Sequence, residues 1–268
     1  KVITLPVLPL LLLLLWVVYP FCKITISILN VGRIGHLGLN TETVLREMES
    51  IDNNELVTRC DKIILIAPTL PNKYVSNKQL LKMYSRNQNV YTSWFFYHLI
   101  AVWHHELLKY RFFFHSNNFI FTNEYNLYNS VQTTLSFTLD ETSKGLMFLS
   151  KIGLHDTKYV CIFERDENYL ALKENKDQGS RSCRDADIDA MIPSIKFLIN
   201  YGYKVVRVGA HAKNKVNFSH PDFIDYPFSE YLSDFNDLFL ISNSSAMIGS
   251  HSGICDVATL FDIPRLVV

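Results

Sequence analysis

The stretch Ser245–Pro264, SAMIGSHSGICDVATLFDIP, leaves the chain few choices of fold. A short apolar run, Ala246–Ile248, passes through Gly249, Ser250, His251, Ser252 and Gly253 into helical spacing over Ile254–Leu260. Pro264 then precedes a second apolar run, Leu266–Val268. Strand, tight polar turn, helix and returning strand make a parallel pair, because a crossover brings the chain back in the same direction. The turn also has a chemical consequence. It opens onto a helix N-terminus, where the first N–H groups have no intrahelical acceptor and the dipole is positive, so an anion is favoured there.

The same alternation runs through the whole second half. Lys158–Phe163 reads as a buried strand that ends in Glu164, Arg165 and Asp166. The polar stretch Lys173–Asp187 reads as a mobile loop, and Ile188–Ile199 carries apolar residues at helical spacing. Pro193 predicts a kink in that helix or a later start, and Gly202 is placed to end it. Tyr203–Val208 is a further strand closed by Gly209, a loop over Ala210–Pro221 leads to FIDY at Phe223–Tyr226, and Asp234 is positioned to cap a helix running through Ser242. Such alternation predicts a mostly parallel sheet covered by helices, with ligands at the carboxyl ends of its strands. Arg165, Gly209 and the Gly249–Gly253 turn all fall at such ends. The last strand has no closing helix, which predicts a truncated C-terminal domain.

The first half opens in the same manner. Lys23–Asn30 alternates as a strand and enters Val31–Asn40, read as a loop that holds Gly32, Arg33, Gly35, His36 and Asn40. A helix is expected from Thr41, with Glu42 in its first turn. The spacing GRIGHLG is not the GxGxxG of a dinucleotide fold. Asp61–Ala67 and Asn89–Tyr91 read as strands, Ser76–Met83 and Phe95–Tyr110 as helices, while Arg111–Ser150 shows no clear period. Trp103–Glu106, WHHE, lacks the HExxH spacing that places two histidines on one helix face, so no metal is expected. The divisions expected are 1–22, 23–150 and 151–268.

Charge and composition narrow the partners. The 268 residues carry no formal net charge, which removes the basic excess expected of a nucleic-acid binder. Val2–Cys22 has no charged residue at all and is close to the roughly 20 apolar residues needed to cross hydrocarbon. It predicts a membrane anchor, with Trp16 and Tyr19 at the interface; Pro6, Pro9 and Pro20 leave open a kinked or re-entrant segment, and a buried apolar arm is the alternative. The five cysteines are scattered and odd in number, and read as reduced thiols. Together these predict a membrane-anchored protein whose soluble part is cytoplasmic.

FERDENYL (Phe163–Leu170), RDADIDAMIPSIKFLINYGYKVVRVG (Arg184–Gly209), FIDY (Phe223–Tyr226), SDFNDLFLISNSSAMIGSHSG (Ser233–Gly253) and LFDIP (Leu260–Pro264) together resemble a family of bacterial glycosyltransferases linked to surface-polysaccharide genes. GRIGHLGLNTE (Gly32–Glu42) is similar to that family's N-terminal motif. The resemblance implies an α/β protein of two Rossmann-like domains with parallel sheets, the GT-B type. Its second domain would bind a nucleotide-sugar and its first would approach a glycan or lipid-linked acceptor. No cofactor beyond that co-substrate is implied.

Glycosyl transfer leaves a diphosphate whose growing charge must be met by placed donors. Arg165 and the amides of Ser252 and Gly253 suit that task, with Ser250 and His251 adding side-chain hydrogen bonds and Gly209 and Arg207 nearby. An ion pair with Glu164 or Asp166 is the structural alternative for Arg165, a capped tight turn the alternative for Ser250–Gly253, and a pairing with a carboxylate the alternative for Arg207. His36 is the candidate base for the acceptor hydroxyl, with Glu42 second, although a first-turn glutamate also serves the helix dipole. Asp185, Asp187 and Asp189 imitate a metal-binding Asp-x-Asp, but helix capping by Asp187 explains them more simply. The expected enzyme is therefore a metal-independent glycosyltransferase, the alternatives being a non-catalytic nucleotide or sugar binder and an epimerase on the same fold.

Overall fold

The computed structural model describes residues 7–51, 62–68, 75–87, 89–110, 113–115, 124–165, 186–210 and 212–268. The chain divides into two compact units, Lys1–Ser136 and Phe137–Val268.

The first unit is built on a parallel sheet of β1 (Ile24–Ile28), β2 (Lys62–Ala67) and β3 (Asn89–Thr92), in that order. Beyond β1, Phe113 and His115 continue the ladder: the Ile26 N–H donates to the Phe113 carbonyl at 2.8 Å and the His115 N–H to that of Ile26 at 3.0 Å. The described helices of the unit are α1 (Val7–Val18), α2 (Thr41–Ile51), α3 (Lys78–Asn87), α4 (Trp94–Leu107) and α5 (Glu124–Ser130).

Two sequence expectations change here. The charge-free N-terminal segment forms only the 12-residue α1 among the described residues, about 18 Å at 1.5 Å per residue, against a hydrocarbon core of about 30 Å. No described helix is long and apolar enough to cross a membrane. Pro9 falls in the first turn, where its missing N–H costs nothing, and Pro20 lies just beyond the helix end, where it cannot extend the ladder. Leu15 instead enters a core cluster with Ile26, Ile66, Ile100, Leu107, Phe113 and Phe114. α1 thus packs against the unit's own sheet, with Leu10, Leu13, Leu14 and Trp16 left exposed. The second change concerns Val31–Asn40: only its start is a loop, and His36–Asn40 is a π-helical turn that runs directly into α2. Gly35 adopts right-handed helical angles, so its glycine serves no special backbone conformation.

The second unit begins one helix earlier than the sequence suggested. α6 (Leu139–Lys151) starts from a capping box: the Thr138 hydroxyl accepts from the Glu141 N–H at 3.2 Å and the Glu141 carboxylate accepts from the Thr138 N–H at 3.1 Å. Phe137 stacks on Phe261 at 5.5 Å, and Gly145 lets α6 lie flat against the Phe239 ring, so this helix belongs to the second core.

The sheet of that unit contains β4 (Tyr159–Phe163), β5 (Lys204–Arg207), β6 (Phe223–Asp225), β7 (Ala246–Gly249) and β8 (Arg265–Val267), in the order β6-β5-β4-β7-β8 and parallel throughout. Parallel strands covered on both faces need near-continuous apolar runs, and YVCIF and the central VV of KVVR supply them. α7 (Ile192–Asn200) follows a 3₁₀ turn at Ile188–Met191, with Pro193 in its first turn, the later start that proline favours. Gly202 at φ 86° releases the chain into β5. α8 (Asp234–Ser242) is capped by Ser233, not Asp234: the Ser233 side chain accepts from the Asn236 N–H, and Asp234 takes the first helical position, where its charge suits the dipole. α9 (Gly253–Leu260) follows β7 through the polar turn.

Candidate functional site

Strand order locates the site. From β4 the chain steps outward to β5 and β6, then returns to β7 on the opposite side of β4. Crossovers on either side of β4 put the topological switch point, at which open α/β sheets bind ligands, at the carboxyl ends of β4 and β7.

The residues there are tightly knit. Phe163 and Gly249 are register partners, and a Cβ on Gly249 would fall on the Phe163 carbonyl oxygen, so only glycine permits this closeness. The Ser250 N–H donates to the Phe163 carbonyl at 3.2 Å, and the buried Ser250 hydroxyl accepts from the Arg165 N–H at 3.0 Å. The Arg165 carbonyl in turn accepts from the Ala186 N–H at 2.9 Å. Ser250 thus fixes the backbone of Arg165 at the strand end and is itself turned inward. His251 is exposed on the turn. Ser252 stands at the N-cap of α9 without using its side chain as a cap, so the N–H groups of Gly253 and Ile254 have no intrahelical acceptor. In the first turn of α9, Asp256 accepts from Arg265 of β8 at 2.5 Å, which offsets the negative charge nearest the helix start. Cys255 beside it has its thiol pushed up to about 12 by burial and is not a nucleophile.

Gly209, just beyond β5, has φ 120° and lies under the Phe163 ring, where a Cβ would approach to 2.8 Å. Arg207 is turned away from the crevice. Its guanidinium donates to the Asn214 carbonyl at 2.7 Å and to Asp225 at 3.3 Å, and Asp225 also accepts from the Val216 N–H at 3.0 Å. Of the two roles open to Arg207, the structure shows the carboxylate pair, which ties β5 to β6 and to the loop after β5. Asp187 caps the 3₁₀ turn by accepting from the Asp189 N–H at 3.0 Å, as its carboxylate position suggested; Asp185 and the stretch 166–185, with most of the expected mobile loop, lie outside the described residues.

In the first unit, Gly32, Arg33, Gly35, His36 and Asn40 follow the carboxyl end of β1. The buried Asn40 amide sits 3.3 Å from His36 Nδ1. With that amide donating, the neutral ring carries its proton on Nε2 and presents a donor outward, which suits holding an oxygen better than removing a proton.

Glu42 is occupied. Its carboxylate, 0% exposed, pairs with the equally buried Arg46 at 3.1 Å and accepts from the Thr134 N–H and hydroxyl, both at 2.8 Å, and from the Tyr84 hydroxyl at 3.4 Å. Arg46 also donates to the carbonyls of Tyr128 and Val131. This closed network welds α2 to α3 and to the segment after α5, and leaves Glu42 no lone pair for an acceptor hydroxyl. Sequence places Arg46 one helical turn after Glu42, but gives no signal for Tyr84 and Thr134, which lie 42 and 92 positions from Glu42.

Glu164, directly after β4 and read in the sequence only as an ion-pair alternative for Arg165, is buried, with Oε2 lacking a hydrogen-bond partner among the described residues.

No family model matches the chain, and no curated protein matches it. Among solved structures it resembles a glycosyl transferase family 9 protein from Veillonella parvula, with TM-score 0.49, 11% identity, and 91% of this chain and 79% of that one covered. It also resembles the E. coli ADP-heptose LPS heptosyltransferase II, with TM-score 0.44, 13% identity, and coverage of 90% and 83%. A third is the dodecameric iron-containing heptosyltransferase TibC in complex with ADP-D-β-D-heptose, with TM-score 0.39, 14% identity, and coverage of 92% and 58%. The chain therefore spans little more than half the length of TibC. Likeness at this level leaves the chemistry of the crevice to the residues in it.

Proposed function

We propose that the chain is part of a metal-independent glycosyltransferase of GT-B type, which takes a sugar from a nucleotide-sugar and passes it to a glycan or lipid-linked acceptor in surface-polysaccharide synthesis. The supporting observation is the crevice at the ends of β4 and β7, where a glycine-only approach sets the N-terminus of α9 beside Arg165. A diphosphate fits that arrangement: the amides of Ser252, Gly253 and Ile254 converge with the positive helix end, and a guanidinium fork can bind two phosphoryl oxygens. As the anomeric bond breaks, negative charge grows on the departing diphosphate, and these fixed donors stabilise it without reorganising. Ser250 positions Arg165 through its backbone, and His251 is free to add a hydrogen bond from the turn. The resemblance of the sequence motifs to those of bacterial glycosyltransferases supports this reaction class. In the first unit, His36 and Arg33 are the proposed acceptor-side contacts, His36 acting as a hydrogen-bond donor.

Thermal unfolding against UDP-, GDP-, CMP- and TDP-linked sugars, with EDTA present, tests this reading. A ligand at 100 times its dissociation constant stabilises the fold by about 2.7 kcal/mol. One nucleotide class should raise the melting temperature of the wild type and not of Arg165→Ala. No shift with any donor, in a folded protein, overturns the proposal; a shift that appears only when EDTA is omitted overturns metal independence.

A further inference from the structure

We propose that Glu164 enters the anion site as a neutral carboxylic acid that donates its proton in a hydrogen bond to a phosphoryl oxygen of the donor. This rests on the reading of the β4–β7 crevice as a diphosphate site. Glu164 is the first residue after β4 and is 8% exposed, with Oε2 buried and lacking a hydrogen-bond partner among the described residues. Its carboxyl lies beside the Ser250 hydroxyl and within electrostatic reach of Cys255, in the first turn of α9. Both neighbours belong to the turn and helix proposed as the anion site, so the carboxyl sits against the segment that leads into α9.

The two protonation states of that carboxyl do opposite things. An ionised carboxylate would put a buried charge, without an ion-pair partner among the described residues, where two phosphates must also sit. The neutral acid has one O–H to give and no charge to repel them. Burial also pushes this carboxyl above the usual glutamate range, with the Ser250 hydroxyl opposing.

The other titratable or charged groups around it are Arg165 on its own segment, His251 in the turn, Cys255 and Asp256 on α9, and Arg265 on β8. Asp256 and Arg265 are paired with each other, and the Cys255 thiol stays neutral through the working range. His251, exposed on the same turn, is the ionisable side chain to remove as a control.

Sulfate is the first probe, since its charge stays constant over the range tested, and the nucleotide-sugar that stabilises the protein is the second. Dissociation constants are measured at about pH 5.5 and about pH 8.5, on either side of neutrality. Wild type should bind both probes at least about tenfold more weakly at the higher pH, a difference of about 1.4 kcal/mol. Glu164→Gln, which keeps the shape and an N–H donor, should bind at both pH values as wild type does at the lower one. Glu164→Leu should bind weakly at both, and His251→Ala should keep the pH dependence.

If Glu164→Gln retains the wild-type slope, or binds as poorly as Glu164→Leu while folded, the proposal is overturned. If Glu164→Leu does not fold, the comparison of Glu164→Gln with wild type decides alone. Sulfate binding with the expected slope, but no response to any nucleotide-sugar, would sustain the acid at the anion site and remove the proposed substrate. No binding of sulfate or nucleotide-sugar by wild type removes both.

Discussion

Asp237 in α8 makes stability of the second unit depend on pH in a direction opposite to most carboxylates. It is 5% exposed, and its Oδ1 has no hydrogen-bond partner among the described residues. Burial first, then the charge of Asp234, raises its carboxyl, against a hydrogen bond with Tyr226, and it is pushed up to about 7. In the unfolded chain it titrates near 3.8. Because the folded value is the higher one, the folded state binds more protons between the two values. The stability is therefore full below the unfolded value and is lost as pH rises through the folded one. At about 1.4 kcal/mol per unit, the loss exceeds about 4 kcal/mol at alkaline pH, of which about 2–3 kcal/mol falls between pH 5 and pH 8.

Asp237→Asn keeps the shape and a carbonyl for the Tyr226 hydroxyl, and removes the ionisation. It should be equal to wild type or weaker near pH 5, where an unpaired amide costs about 1–3 kcal/mol, and should gain on wild type by about 2–3 kcal/mol by pH 8. All three tryptophans, Trp16, Trp94 and Trp103, belong to the first unit, so their fluorescence reports on the wrong place. Hydrogen exchange at the Val205 and Val206 amides in β5 follows the second unit directly. A variant whose protection falls between pH 5 and pH 8 as much as that of wild type, after correction for intrinsic exchange, would refute the assignment of Asp237.

The buried pair in the first unit gives a second expectation: Glu42→Ala strands Arg46 in the interior and should destabilise by about 3–5 kcal/mol in urea denaturation, and a loss under 1 kcal/mol would show that the network can dissolve at little cost. Gly249→Ala forces a methyl group onto the Phe163 carbonyl and should cost about 1–3 kcal/mol. It should also reduce nucleotide-sugar affinity by more than Gly202→Ala does, since Gly202 has open space around it and lies away from the crevice; equal effects would mean that the close approach of β4 and β7 does not shape the site.

The second unit was readable in the sequence because each of its central strands carries a short apolar run between turn residues, and their carboxyl ends are where Arg165, Gly209 and Gly249 stand. What eluded the sequence had physical reasons. Thr138 and Glu141 do spell a capping box, but the aromatic residues around it masked the helical period of α6. Gly35 and Gly38 read as loop formers because glycine is the weakest helix residue after proline, yet the buried Gly38 carbonyl accepts from the Tyr84 hydroxyl inside a π-helical turn. Val2–Cys22 has the composition of a membrane span, and composition alone cannot distinguish a span from an arm that packs Leu15 against Ile26 and Phe113. Arg46 stands one helical turn from Glu42, but the other partners of Glu42 and those of Arg207 are brought together by folding, which no local pattern announces.

The central claim is that the β4–β7 crevice holds the diphosphate of a nucleotide-sugar. Backbone amide shifts of the isotope-labelled protein, followed by NMR during titration with the stabilising nucleotide-sugar, test it most directly. The largest changes should fall on Arg165, Ser252, Gly253 and Ile254 and saturate together with a single dissociation constant. Saturable binding whose largest changes lie elsewhere in the chain, with those four amides unmoved, would contradict it.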